Sequence, residues 1–125
     1  MIFESHAHYE DARFDEDREA LLSSFPQKGI DYVVNVGSSL KTTQQSIALA
    51  KQYDFIYAAA GVHPEETAEL NEENFAWLCE QMKQEKVVAV GEIGLDYHWD
   101  EPERKIQKVW FVRQVALARQ VALPM

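Results

Sequence analysis

Val87-Val88-Ala89-Val90 is an unbroken run of four apolar residues, three of them β-branched, closed by Gly91. A strand of that composition has no polar face to turn to water, so it belongs in a parallel sheet covered on both sides. Gly91 and Gly94 punctuate the run and put Glu92 at the strand's C-terminal end. In an α/β barrel the side chains at that end of the strands build the active site, and a carboxylate there is a candidate ligand or base. The same position also suits a residue that simply faces solvent.

The rest of the chain repeats one unit. Ile2 to His8 reads as a first strand, and Leu21, Leu22 and Phe25 on a polar background predict an amphipathic helix over Asp15 to Lys28, ended by Gly29. Ile30 to Val36 is a second β-branched run, and Gly37-Ser38-Ser39 leads to a helix from about Leu40 to Tyr53. Phe55 to Ala60 predicts a third strand, followed by Gly61-Val62-His63-Pro64, where the proline forces a turn. Asn71 caps a helix carrying Phe75, Leu78 and Met82, which leads into the run at Val87. Pro102 suits the first position of a last helix, with Ile106, Val109, Trp110, Val112, Val115 and Leu117 as its apolar stripe. Val121 to Met125 reads as the start of a fifth strand.

Strict alternation of strand and helix argues for a parallel sheet with right-handed crossovers. Doubly wound sheets and (β/α)8 barrels both satisfy it, and neither glycine-rich phosphate fingerprint is present. The histidines and Glu92 favour the barrel, because His6, His8, His63 and Glu92 all fall at C-terminal strand ends and a barrel gathers those at one mouth.

Composition narrows the setting. With 125 residues, 46% of them hydrophobic and 26% charged, residues 1-125 are expected to form a single globular domain. No apolar run approaches the ~18 residues of a membrane span, and no basic segment precedes an apolar stretch at the N-terminus, so a cytoplasmic protein without a membrane partner is expected. Cys79 has no second cysteine to pair with and is assigned no chemistry. A formal charge of −9 has the wrong sign for a broad nucleic-acid-gripping surface. It is compatible with a nuclease whose polyanionic substrate is neutralised locally by metal ions.

His6 and His8 are two apart, so on one strand their side chains point the same way and can converge on one metal ion. Spacing alone leaves open a solvated pair at a strand end.

Taken together, Phe3-Glu4-Ser5-His6-Ala7-His8, Gly61-Val62-His63-Pro64, Gly91-Glu92-Ile93-Gly94-Leu95-Asp96-Tyr97 and Leu123-Pro124 make the chain resemble the N-terminal half of the TatD-type metal-dependent deoxyribonucleases, members of the amidohydrolase-like TIM barrels. The resemblance implies α/β architecture with parallel strands, about half of a (β/α)8 barrel. It implies metal-ligand roles for His6, His8 and Glu92, with two divalent ions, Mg, Mn or Zn, that Glu92 bridges while His6 and His8 hold one. It carries His63 over only as a substrate-lining group.

Two departures accompany it. Glu4 and Glu10 stand where the family usually has aspartate, and aspartate or asparagine, so the charge is kept and a methylene added. The chain supplies four β/α units and the first residues of a fifth, whereas a full barrel needs about 250 residues. The family's remaining ligands, two histidines and an aspartate that would accept the proton, have no counterpart, and no catalytic residue is identified in this half. The expected function is therefore hydrolysis of phosphodiester bonds in DNA, single-stranded DNA in particular, with the isolated half inactive and prone to self-association through its exposed edge. An amidohydrolase-type hydrolase of a small ester or amide, or a non-catalytic remnant, are the alternatives.

Overall fold

A computed structural model describes residues 1–125. Strands β1 (Ile2–Ala7), β2 (Ile30–Val36), β3 (Ile56–Ala60) and β4 (Val87–Val90) alternate with helices α1 (Arg18–Ser23), α2 (Leu40–Gln52), α3 (Glu72–Gln81) and α4 (Arg104–Val121). All strand pairs are parallel, in the order β1-β2-β3-β4. A doubly wound sheet reverses its winding and places its first strand inside the order. Here β1 lies at an edge and each strand neighbours the next, which is the winding of a barrel, so the protein is about half of a (β/α)8 barrel.

The core lies between the sheet and its helices and is built from residues such as Val33, Ile56, Leu78 and Leu117, all 5% exposed or less. The opposite face of the sheet is open. There Phe3, Tyr32, Val34, Tyr57 and Val88 line an apolar hollow of about 540 Å³. Phe3, Tyr32 and Tyr57 form a row across it with ring centroids 5.9 and 6.3 Å apart. No helix is long and apolar enough to cross a membrane.

The helix expected over Asp15 to Lys28 is shorter than its apolar pattern. α1 has six residues, flanked by 3-10 turns at Ala12–Phe14 and Pro26–Lys28. Proline lacks the N–H that an α-helix needs, and Gly29, at φ 77°, ends the segment in the left-handed region. Pro102 lies outside α4, whose N-cap is Glu103. β4 stops at Val90, so Glu92 sits in the turn beyond it rather than on the strand.

The fifth strand is not formed. α4 runs to Val121, Ala122 closes it with a positive φ of 56°, and the following segment reaches β4 by one bond, from the Val90 N–H to the Pro124 carbonyl at 2.9 Å. The apolar stripe of α4 is also corrected. Val109 and Val112 are 48% and 64% exposed, while Gln107 and Gln114 are completely buried beside Leu117 and Ala118.

The C-terminal ends of β2, β3 and β4 are tied to one another. The Glu92 N–H donates to the Gly37 carbonyl at 2.6 Å, Gly91 N–H to Ala60 O at 3.0 Å, and His63 N–H to Ser38 O at 2.8 Å. A Cβ on Gly61 would lie 2.6 Å from the Gly91 carbonyl carbon. Backbone therefore packs on backbone where the third and fourth strands end, which a side chain would prevent.

Candidate metal centre

β1 does not run in simple register with β2. Glu4 pairs with Val33 and Ala7 with Asn35, so β1 carries one residue more than its neighbour between these pairs. The extra residue turns His6 and His8 to the open side of the sheet, while Ala7 is buried against the core.

There the two imidazoles meet the carboxylate of Glu92. His6 Nε2 lies 3.1 Å from His8 Nε2, and Glu92 Oε2 lies 3.6 Å from the first and 3.8 Å from the second. Two nitrogens bound at about 2.0–2.1 Å to a tetrahedral ion stand roughly 3.3–3.4 Å apart. The three distances bracket that edge, so the atoms stand near the spacing of one coordination shell, and all donor atoms of the group lie within 4.8 Å of one another. No other cluster of three or more histidine, cysteine, aspartate or glutamate side chains has this geometry.

The surroundings fix which atoms are available. His8 Nδ1 is 2.8 Å from the Val36 carbonyl, which can only accept, so Nδ1 carries a proton and Nε2 presents its lone pair toward His6 and Glu92. Glu10 approaches the same ring from behind, with Oε1 3.5 Å from Nδ1. It is 8% exposed, and its Oε2 accepts from Asn35 Nδ2 at 2.7 Å. Asn35 in turn accepts from the Tyr9 N–H and donates to Ser46 Oγ. The longer side chain of Glu10 is thus accommodated inside a buried polar network and supports His8 from outside the donor cluster. Glu4 accepts the His6 backbone N–H at 3.1 Å, which steadies the strand at the ligand.

His63 does not join the cluster. Its Nδ1 accepts the Glu65 N–H at 3.2 Å, capping the 3-10 turn Pro64–Glu69, so in the neutral ring the proton is on Nε2. The residue lines a groove of about 650 Å³ together with His8 and Glu92. The other walls were not evident in the sequence. Ser38, Lys41, Thr42 and Gln45 come from the start of α2, whose capping box between Ser39 and Thr42 orients that turn. Gly37-Ser38-Ser39 reads as a cap; its place after a strand was the signal that it also borders a site.

Carboxylates dominate the groove, with Glu10, Asp11, Asp15, Glu65, Glu66 and Glu92 against Arg13 and Lys41. Arg13 is engaged by Asp11 through Nε and Nη2 at 3.0 and 3.1 Å, and its guanidinium holds the Asp11 carboxyl below the usual range. A phosphate entering this groove needs a cation as counter-charge.

Two buried glutamines of α4 hold the loops that carry the site. Gln114 accepts the Val62 N–H at 2.8 Å and donates to the Val62 carbonyl at 3.1 Å, next to His63. Gln107 accepts the Asp96 N–H at 2.9 Å and donates to Asp96 O and Pro102 O at 2.8 and 2.9 Å, holding the loop that follows Glu92. Arg18 does the same for the segment after β1, donating to the carbonyls of Tyr9, Glu10 and Asp11.

Known proteins share this architecture. An uncharacterized metal-dependent hydrolase of Bacillus subtilis, YabD, is 42% identical over 124 residues, covering 99% of this chain and 49% of the relative. The 3'-5' ssDNA/RNA exonuclease TatD of Cronobacter sakazakii is 32% identical over 113 residues, 90% of this chain and 43% of that protein. The crystal structure of YjjV, a TatD homolog from Escherichia coli K12, superposes with a TM-score of 0.88 at 31% identity, over 98% of this chain and 48% of that one. The chain spans about half the length of these relatives. A fold wound as a half-barrel, a donor cluster suited to a divalent ion, and a match over residues 3–125 to the family described as TatD related DNase lead to one conclusion: the chain belongs to the TatD related DNase family of metal-dependent hydrolases.

Proposed function

We propose that the protein is a hydrolase of phosphodiester bonds in single-stranded DNA, with His6, His8 and Glu92 as ligands of divalent metal and His63 as a substrate-facing donor. The observation that carries this reading is the spacing of the three donor atoms, which is near that of one coordination shell. His6, His8 and Glu92 would hold the divalent metal, two ions of Mg, Mn or Zn in the complete site, and a mixed imidazole and carboxylate set suits such ions. A cytoplasmic setting fits the lone free cysteine.

A divalent ion in such a site supplies Lewis acidity toward a phosphoryl oxygen and acidifies water. The chain's own contribution is positional. The Val36 carbonyl holds the His8 ring by its Nδ1 proton, and Glu4 steadies the backbone at His6. The backbone bond from Glu92 to Gly37 fixes the root of the carboxylate. His63 keeps its Nδ1 occupied at the Glu65 N–H, so Nε2–H is free to donate to an oxygen of a substrate in the groove.

Calorimetric titration of Zn²⁺ or Mn²⁺ tests the ligand assignment. Glu92→Gln keeps size and removes an anionic oxygen, and is expected to lose more metal affinity than Glu65→Gln, which changes a carboxylate of the same groove. Equal affinities for wild type and Glu92→Gln would sink the assignment. Metal-dependent release of nucleotides from single-stranded DNA, without turnover of small esters, tests the substrate class in the complete barrel, since the isolated half is expected to be inactive.

A further inference from the structure

Trp99 is 69% exposed, in the loop between Glu92 and α4. Its ring meets the His98 imidazole nearly at right angles, with centroids 4.4 Å apart, which steadies it without covering it. It borders a hollow of about 520 Å³ whose other walls include Glu65, Glu66, Glu101 and Pro102. Glu65 and Glu66 also line the groove containing His8, His63 and Glu92, so the hollow is a sideways continuation of the candidate metal centre.

The chemistry of the hollow differs from that of the centre. It offers an aromatic surface and three carboxylates, with no basic side chain among the residues that line it. A phosphate is repelled there. An unstacked base is not, because every base has a π-face that stacks on an indole. Carboxylates accept hydrogen bonds from the exocyclic amino groups of cytosine, adenine and guanine, and thymine has no such group. The groove and the hollow thus divide a nucleotide chain between them: cations at His6, His8 and Glu92 meet the phosphate, and the indole meets a neighbouring base.

We propose that Trp99 is a stacking platform for a base of the single-stranded substrate, and that Glu65, Glu66 and Glu101 bias it toward amino-bearing bases over thymine. The proposal rests on the nucleic-acid reading above and deepens it. It adds a specificity-determining position that contributes nothing to metal binding.

Anisotropy titration of dye-labelled hexamers of dC or dT, on an uncharged, hydrolysis-resistant methylphosphonate backbone, with the 125-residue chain isolates the base contact from the phosphate contact and reads the Trp99 variants equally well. The dC hexamer is expected to bind more tightly than the dT hexamer. Trp99→Ala should weaken the dC hexamer about 5- to 150-fold, the range of one base–aromatic stack, and Trp99→Tyr should restore much of it. Trp99→Ala should leave calorimetric Zn²⁺ affinity unchanged, which distinguishes a lost platform from a damaged fold. Unchanged dC affinity in Trp99→Ala overturns the platform, and equal affinity for dC and dT overturns the base preference; either leaves the metal assignment standing. Intact stacking with no zinc bound at His6, His8 and Glu92 sinks the hydrolase reading and retains the platform.

Discussion

Replacing Gln114 by leucine is expected to destabilise the protein by about 2–4 kcal/mol. The side chain is completely buried, and so is Val62, whose N–H and carbonyl it satisfies at 2.8 and 3.1 Å. Leucine fills a similar volume but leaves both backbone groups without partners, and each orphaned buried group costs about 1–3 kcal/mol. Added apolar burial offsets part of the loss, by roughly 1 kcal/mol. A domain has only about 5–15 kcal/mol in total, so the effect is large. Urea unfolding measures it directly, with Gln120→Leu as the exposed control on the same helix. Gln114→Glu sharpens the test. Once protonated, a carboxyl offers one acceptor and one donor, as the amide does, and burial without a cation raises its folded pKa above the unfolded one. The folded state then binds the extra proton, so this variant should gain stability relative to wild type as pH falls and lose it as pH rises through the folded pKa. A cost under about 0.5 kcal/mol for Gln114→Leu, the size of an ordinary surface change, would refute the reasoning.

Further expectations follow from other contacts. His6→Ala and His8→Ala should each weaken the same metal ion, and the double variant should add little in calorimetry, because ligands of one ion act as a unit; fully additive losses would mean two independent histidines. Gly61→Ala should lower the midpoint of thermal unfolding, since its Cβ meets the Gly91 backbone at 2.6 Å; an unchanged midpoint would show that the strand ends can separate. The Arg113 guanidinium beside Glu72 holds that carboxyl below the usual range, so the pair's contribution is present above the ordinary carboxylate pKa and fades as pH falls through the depressed one. Glu72→Gln should therefore differ from wild type at neutral pH and converge with it in acid, by urea unfolding at each pH. Phe3 and Tyr32, 60% and 42% exposed on the open sheet face, should drive self-association by light scattering; a strict monomer, or no effect of Phe3→Glu on an associated form, would contradict this.

Much of the fold was legible because its boundaries are written in residues with one physical use. β2 lies where its apolar run is bounded by Gly29 and Gly37, and α2 and α3 start after Ser39 and Asn71, whose side chains cap them. That His6 and His8 share a side was legible from their i, i+2 spacing, and the place of Glu92 from the apolar run before it, whereas their grouping as ligands came from the family resemblance. α4 was misread for a reason that periodicity cannot supply. A glutamine at a helical position reads as solvent-facing, yet Gln107 and Gln114 are buried because loop carbonyls and amides need partners there. Their separation by two helical turns, on the face shared with Ala118, was the available clue. The loop residues that line the groove were hidden similarly, since a serine-rich turn after a strand looks the same whether it caps a helix or borders a site.

The extra residue in β1 makes the metal centre depend on parity. Phe3 faces the open side opposite Tyr32, and in an unbroken pleat residues 5 and 7 would follow it there while 6 and 8 turned inward. The slip between Glu4 and Ala7 exchanges the two sets, delivering both imidazoles to the cavity and the small Ala7 to the crowded interior. Straightening the slip, with no residue lost, would leave every ligand in the chain, yet it would swing Phe3 toward the helices if the histidines kept their place, or bury both imidazoles if Phe3 kept its own. Removing Ser5 would do neither, because Phe3 and His6 would then stand two apart and share the open face of a regular pleat. The register of this strand is thus as much a determinant of metal binding as the histidines themselves.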